Sequence, residues 1–275
     1  MELRSATGAG MMDCKRALEE TGGDLEQARD HLRKMGIAVA ARKSSRETTE
    51  GGIAIAFSQD HACAAMVHLA SETDFVARNE KFRHLLDTLA GHVLAEGDQD
   101  VPNQKLADGG TVQERITAGV NTMGENLQLV EAVRVDAPEN GLVGGYVHSN
   151  AKIGVLIVLS AGRNGKREPL QSLAKDLAMH VAASQVHALD AEAIDPDLIA
   201  KEREIFTAQA KESGKPDDIV QKMVEGRMKK FVKEISLLEQ PFVKDPDKSV
   251  KKVVEDAGAS LGTEVGIERF VKFQF

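Results

Sequence analysis

The apolar positions along the first 46 residues recur at helical spacing. Cys14, Ala17 and Leu18 fit one short helix, which Thr21-Gly22-Gly23 ends. Asp24 restarts the chain as an N-cap, with Gln27 three residues on completing a capping box. Leu25, Ala28, Leu32 and Met35 form the stripe of the next helix, and Gly36 is expected to close it. Residues 38–46, ending in Arg42, Lys43, Ser44, Ser45 and Arg46, read as a polar linker. With little besides Leu3 before Thr7, this module has a very small core, so it either docks on something or is marginally stable.

Strand signals then take over, beginning with the alternation of Ile53-Ala54-Ile55-Ala56-Phe57. Residues 53–57 and 64–70 read as strands around a turn at Gln59-Asp60-His61, and a helix follows at about 81–95. The same order returns later: a strand at 144–148, a turn at 149–152, a strongly apolar strand at 153–160 and a helix at about 170–184. The two helices share Leu85/Leu173, Leu89/Leu177, Ala90/Ala178, His92/His180, Val93/Val181 and Ala95/Ala183. Gly124-Glu125-Asn126-Leu127 leads to a strand at 130–135, as Gly262-Thr263-Glu264-Val265 leads to one at 267–275. The pattern predicts an α+β protein with a duplicated unit of two strands, a helix and a later strand, each sheet covered on one face by helices. Residues 197–213 and the run from Asp217 to Ile235 carry one apolar seam each about the turn Ser213-Gly214-Lys215-Pro216, which predicts an inserted antiparallel helical hairpin.

Composition narrows the function. Over 275 residues, 35 Lys and Arg against 43 Asp and Glu leave a net charge of −8, without the clustered basic residues that phosphate neutralisation requires. Nucleic-acid binding and anionic membrane surfaces are therefore disfavoured. No apolar run approaches the roughly 20 residues of a membrane span, and the start lacks the apolar stretch of a signal peptide. Two cysteines, Cys14 and Cys63, both read as buried thiols, fit a reducing compartment rather than a disulfide scaffold.

A search for reactive chemistry returns little. Gly162-Arg163-Asn164-Gly165-Lys166 and Gly8-Ala9-Gly10 lack the spacing of a phosphate-binding loop, so no direct nucleotide binding is expected. His61 and Cys63 would share a strand face that His68 does not, so no metal site and no cofactor are expected. No nucleophile elbow or triad occurs, which argues against an enzyme. Two features stand out instead. Ser71-Glu72-Thr73-Asp74-Phe75-Val76 joins a strand to a helix, and its counterpart after the later strand has no aromatic. It is either a capped helix start with Phe75 folded back as a staple or a loop that presents the ring. Gly10-Met11-Met12 sets two methionines at the mouth of a helix too small to bury both, either capping the mini-core or forming an adaptable patch.

Thr7-Gly8-Ala9-Gly10-Met11-Met12-Asp13-Cys14-Lys15-Arg16-Ala17-Leu18 and Thr73-Asp74-Phe75-Val76-Ala77 resemble the two signatures of the bacterial elongation factor Ts family. Ala178-Met179-His180-Val181-Ala182-Ala183-Ser184 and Met223-Val224-Glu225-Gly226-Arg227-Met228-Lys229-Lys230-Phe231 are similar to it as well. The resemblance covers essentially the whole chain. It implies a cytoplasmic guanine nucleotide exchange factor for the GTPase elongation factor Tu. It also implies a small ubiquitin-associated-like three-helix domain with linker over 1–46, and a core N-subdomain over 47–137. A core C-subdomain over 138–275 follows, with a hairpin insertion at about 190–236 that can serve as a homodimer contact. Carried over by position, Thr73, Asp74, Phe75 and Val76 match the loop that disturbs the partner's Mg²⁺. His148 matches the histidine near the partner's phosphate-binding loop, and Met11, Met12 and Lys43 match the N-terminal contact patch. The chain departs from the family in a first helix that is shortened or whose start is misplaced, in Ala70-Ser71-Glu72 before the loop, in a turn at Ser149-Asn150 longer than in some members, and in lacking the C-terminal helix that some members carry. The competing class is an interaction or chaperone-like module built on the N-terminal helices, which would have no need of residues 73–76.

Overall fold

The computed structural model describes every residue from Met1 to Phe275 except Gly8, Asn164, Gly165 and Ser213. The glycine of the first motif and parts of the turns expected at 162–166 and 213–216 therefore lie outside the described residues. Two compact units emerge. One comprises Met1–Val135, Val147–Gly154 and Phe273–Phe275; the other comprises Asp136–Tyr146 and Val155–Lys272.

The first unit starts with three helices, α1 (Glu2–Thr7), α2 (Met11–Glu20) and α3 (Leu25–Lys43). Leu3, Cys14, Ala17 and Ala28 form their small core, with Leu18 and Leu32 packed against it. Asp24 caps α3 as the sequence predicts, its carboxylate accepting the Gln27 N–H at 2.9 Å. Gly36, however, does not end α3. It is buried and faces Asn121 of α6 (Val112–Met123), so the missing side chain permits a close helix approach rather than a stop. The helix runs on through Lys43, and the expected linker over 38–46 is mostly its last two turns, with Ala40 packed on the main core. The stripe is narrower than predicted, because Leu25 and Met35 at its ends are exposed.

Strands β1 (Glu50–Phe57) and β2 (Cys63–Ser71) pair antiparallel, from Glu50 opposite Ser71 to Phe57 opposite Ala64. After a single turn, α4 (Asp74–Ala77), come α5 (Glu80–Glu96), α6 and β3 (Leu127–Asp136), which completes a sheet of order β1-β2-β3. The core lies between this sheet and the helices and holds Val67, Leu69, Phe82, Leu89, Val112 and Ile116. Helix α6 is an element that the sequence pattern above does not predict, although Thr111 and Glu114 form a complete capping box and Val112, Ile116 and Val120 form its buried stripe. Cys63 is half-buried at the strand start, not buried as expected.

The second unit centres on a sheet of order β4-β5-β8, formed by β4 (Leu142–Val147), β5 (Ile153–Ala161) and β8 (Val265–Gln274). Helix α7 (Arg167–Ala183) buries Leu170, Ala174, Leu177 and Val181. Helices α8 (Pro196–Lys211) and α9 (Asp217–Ile235) pack as a pair around Ala210, Val220, Val224 and Met228. Phe206 and Phe231 meet edge to face across the pair, with centroids 6.2 Å apart. A short ladder, β6 (Pro241–Phe242) and β7 (Asp245–Ser249), then leads into α10 (Val250–Leu261). This last helix was also not foreseen, although Ser249 caps it and Val250, Val254 and Gly258 line its buried side.

Candidate functional site

The residues after β2 take one helical turn because Thr73 makes them do so. Its hydroxyl accepts the Val76 N–H at 3.4 Å, the N-cap bond that a threonine in extended conformation supplies. The Ala77 and Arg78 N–H groups donate to the carbonyls of Thr73 and Asp74 and close the turn. Val76, only 9% exposed, plugs into the core between sheet and helices. The hydrophobic staple does not form: Phe75 is 82% exposed, and its ring stands out from the surface. A phenyl ring in water forgoes the roughly 1.5–3 kcal/mol that burial would supply, so the backbone around it must be held by other bonds. Asp74 is half-buried, and its carboxylate pairs with Arg78 at 3.0 Å, one turn on.

Those holding bonds come from the loop between α6 and β3. Glu125 accepts the Thr73 hydroxyl on Oε1 at 2.6 Å and the Thr73 N–H on Oε2 at 3.0 Å. Glu72 accepts the Asn126 N–H at 2.6 Å, and the Asn126 amide donates to the Arg46 carbonyl at 2.9 Å. Arg46 in turn lies 3.4 Å from the Glu72 carboxylate. Sequence reading singled out Gly124-Glu125-Asn126 only as the approach to a strand. The 52 residues separating Thr73 from Glu125 put this clamp beyond any local pattern.

The other candidates are placed separately. Met11 and Met12, in the first turn of α2, are 60% and 66% exposed. Met11 borders a groove of about 630 Å³, lined also by Leu3, Cys14 and Leu18. Lys43 is half-buried and donates its ammonium to the Gly124 carbonyl at the end of α6, so it holds the module to the clamp loop. His148 follows β4 on an exposed turn, its N–H donating to the Ile153 carbonyl at 2.9 Å and its carbonyl accepting the Ala151 N–H at 2.7 Å. Thr73, Asp74, Phe75 and Val76 thus form one braced feature, with Thr73 and Val76 facing inward and Phe75 outward.

Among the described residues no group of three or more His, Cys, Asp or Glu side chains is arranged to hold a metal. No described helix is long and apolar enough to cross a membrane. The outward Phe75 on its braced turn and the exposed Met11 and Met12 are apolar surface of the kind that suits a protein that docks on another.

The comparisons give that class a name. The family model "Elongation factor TS" matches residues 72–275. The chain is 46% identical to elongation factor Ts of Gluconobacter oxydans, with 98% of this chain and 89% of the relative covered. It is 44% identical to that of Rhodospirillum centenum, over 99% and 90%, and 43% identical to that of Desulfovibrio desulfuricans, over 99% and 95%. The chain belongs to the elongation factor Ts family.

Proposed function

We propose that Phe75 and Asp74 act together as a wedge on the magnesium side of a GTPase's nucleotide pocket, while His148 acts on the phosphate side. The GTPase is elongation factor Tu: the family exchanges its nucleotide during translation elongation in the cytoplasm, without covalent catalysis, and this chain does the same. Exchange requires that the factor bind the partner more tightly when nucleotide is weakly held, and linkage then makes bound nucleotide weaken the factor equally. Burial of one phenyl ring supplies roughly 1.5–3 kcal/mol, and about 1.4 kcal/mol of differential stabilisation is tenfold in release rate. Phe75 therefore accounts for one to two orders of magnitude. Asp74 adds a carboxylate near the partner's Mg²⁺, whose charge otherwise offsets that of the phosphates.

The observation that carries this reading is the outward ring of Phe75 on a turn whose neighbour Val76 is buried. Met11 and Met12 contribute affinity through a flexible apolar patch. Lys43, tied to Gly124, contributes by holding the N-terminal helices in place.

The same reading extends to architecture. We assign 1–46 to a ubiquitin-associated-like helical domain with its linker, and 47–137 and 138–275 to two related α/β subdomains. The matching sheet orders β1-β2-β3 and β4-β5-β8 support the duplication, as do α6 and α10, each of which precedes the last strand of its sheet. The insertion at about 190–236 is read as an antiparallel hairpin and a homodimer contact; the exposed Ile205 and Ile219 on its helices favour that role.

Stopped-flow release of fluorescent GDP from purified elongation factor Tu tests the site. Phe75→Ala combined with His148→Ala is expected to abolish most of the stimulation; unchanged release overturns the assignment.

A further inference from the structure

Building on the wedge reading of Phe75, we propose that Glu125 is the positioning residue that holds this ring in its outward pose. Thr73 offers Glu125 two donors to hold. Its hydroxyl has one proton and two lone pairs; the proton goes to Glu125 Oε1 at 2.6 Å, which leaves a lone pair free for the Val76 N–H at 3.4 Å. The second carboxylate oxygen takes the Thr73 N–H at 3.0 Å, so both donors of one residue are fixed by one side chain. Ser71 Oγ adds a bond to the Thr73 carbonyl at 3.0 Å.

The clamp is itself held on both sides. Gly124, in the left-handed conformation at φ 80°, takes the Lys43 ammonium on its carbonyl. Asn126 is bound to Glu72 and Arg46. On the far side of the turn, Val76 is buried. Only Asp74 and Phe75 lie between the two anchors, so the direction of the Phe75 Cα–Cβ bond follows from them. A single helical turn has no stability of its own, and a loose chain would fold the ring back onto apolar surface. Glu125 thus supplies pre-organisation rather than a contact with the partner.

Two readouts test this. The chain has no tryptophan, so Phe75→Trp gives a single reporter at the wedge. Adding Glu125→Ala is expected to lower its fluorescence anisotropy, while the far-ultraviolet circular dichroism stays unchanged. In GDP release from elongation factor Tu, with Phe75 in place and the factor below saturation, Glu125→Ala is expected to lower the stimulated rate about tenfold, the loss when the competent pose falls to about a tenth of the population. Glu125→Gln, which keeps one acceptor, is expected to lose about threefold, and it carries the test if the alanine variant does not fold. In a Phe75→Ala background, Glu125→Ala is expected to add less than about twofold, because it acts through the ring. Unchanged anisotropy, or a full multiplicative loss in that background, overturns the proposal. If anisotropy falls but Phe75→Ala releases GDP at the normal rate, the wedge reading fails while the positioning role stands.

Discussion

His180 Nε2 lies 2.8 Å from Gln240 Oε1, and the other nitrogen of the same ring, Nδ1, accepts the Val243 backbone N–H at 3.1 Å. Because Nδ1 receives a donor, the proton resides on Nε2 and the ring is neutral. The Gln240 amide passes the connection on to the carbonyls of Gln185 and Glu234. One imidazole therefore fastens α7 to the segment that follows the α8–α9 pair, at a site where the histidine is 1% exposed. Replacing it by His180→Leu leaves the part-buried Val243 N–H and the buried Gln240 side-chain carbonyl without this partner. The expected cost is about 1–3 kcal/mol, read as a lower urea midpoint with unchanged slope.

Burial holds the His180 imidazole below the usual histidine range despite the opposing hydrogen bond that it donates to Gln240. His68 is lowered too, again by burial, which outweighs the nearby Glu131 carboxylate. A histidine whose folded pKa is depressed takes up its proton more readily in the unfolded chain. Its contribution is complete above the unfolded value of about 6.5 and is lost as pH falls below it. Urea denaturation between pH 7.5 and 5.5 is expected to show stability falling with pH, and His180→Gln together with His68→Gln is expected to flatten that slope.

Phe75 and Val76 are chain neighbours with opposite surroundings, and they should fail in opposite ways. Phe75→Ala removes an exposed ring and is expected to shift stability by no more than about 0.5 kcal/mol while stimulated GDP release falls. Val76→Ala opens the core that also holds Phe82 and Leu69 and is expected to cost about 1–3 kcal/mol. Thermal melting and release kinetics on the same two preparations separate the effects.

The strands and longer helices could be read from the chain because each carries its own local signal: the Ile-Ala-Ile-Ala-Phe alternation in β1, a continuous apolar run in β2, a buried stripe in α5 and α7. Helix α6 was overlooked although the Thr111–Glu114 box marks its start, because its stripe is short and lies after a polar stretch rich in Asp and Gly. The exposure of Phe75 was half legible. An aromatic in a capping sequence is compatible with a folded-back staple, and the Thr73–Glu125 bond that braces the turn joins segments too distant for a local pattern to show. Gly36 misled for a similar reason, since a helical glycine that ends a helix and one that admits a neighbouring helix look alike in sequence.

Gly36 and Gly144 make that last distinction measurable. A methyl group at position 36 would meet the end of the Asn121 side chain, with Cγ at 3.2 Å, and that amide can swing away. A methyl at position 144 would collide with Ala174 Cβ and come within 3.4 Å and 3.5 Å of the α7 backbone, which cannot move without shifting the whole helix. Neither glycine has a positive φ, so the comparison is one of space alone. Gly144→Ala is expected to cost about 1–3 kcal/mol through overpacking of strand against helix. Gly36→Ala gains up to about 1 kcal/mol of helix propensity, set against the displaced amide and its 3.1 Å bond to the Thr117 carbonyl. In an Asn121→Ala background that opposition is gone, and Gly36→Ala is expected to raise the melting temperature. A fall there would mean that the α3–α6 contact tolerates no added methyl, and that the glycine is required by the backbone rather than by one neighbouring side chain.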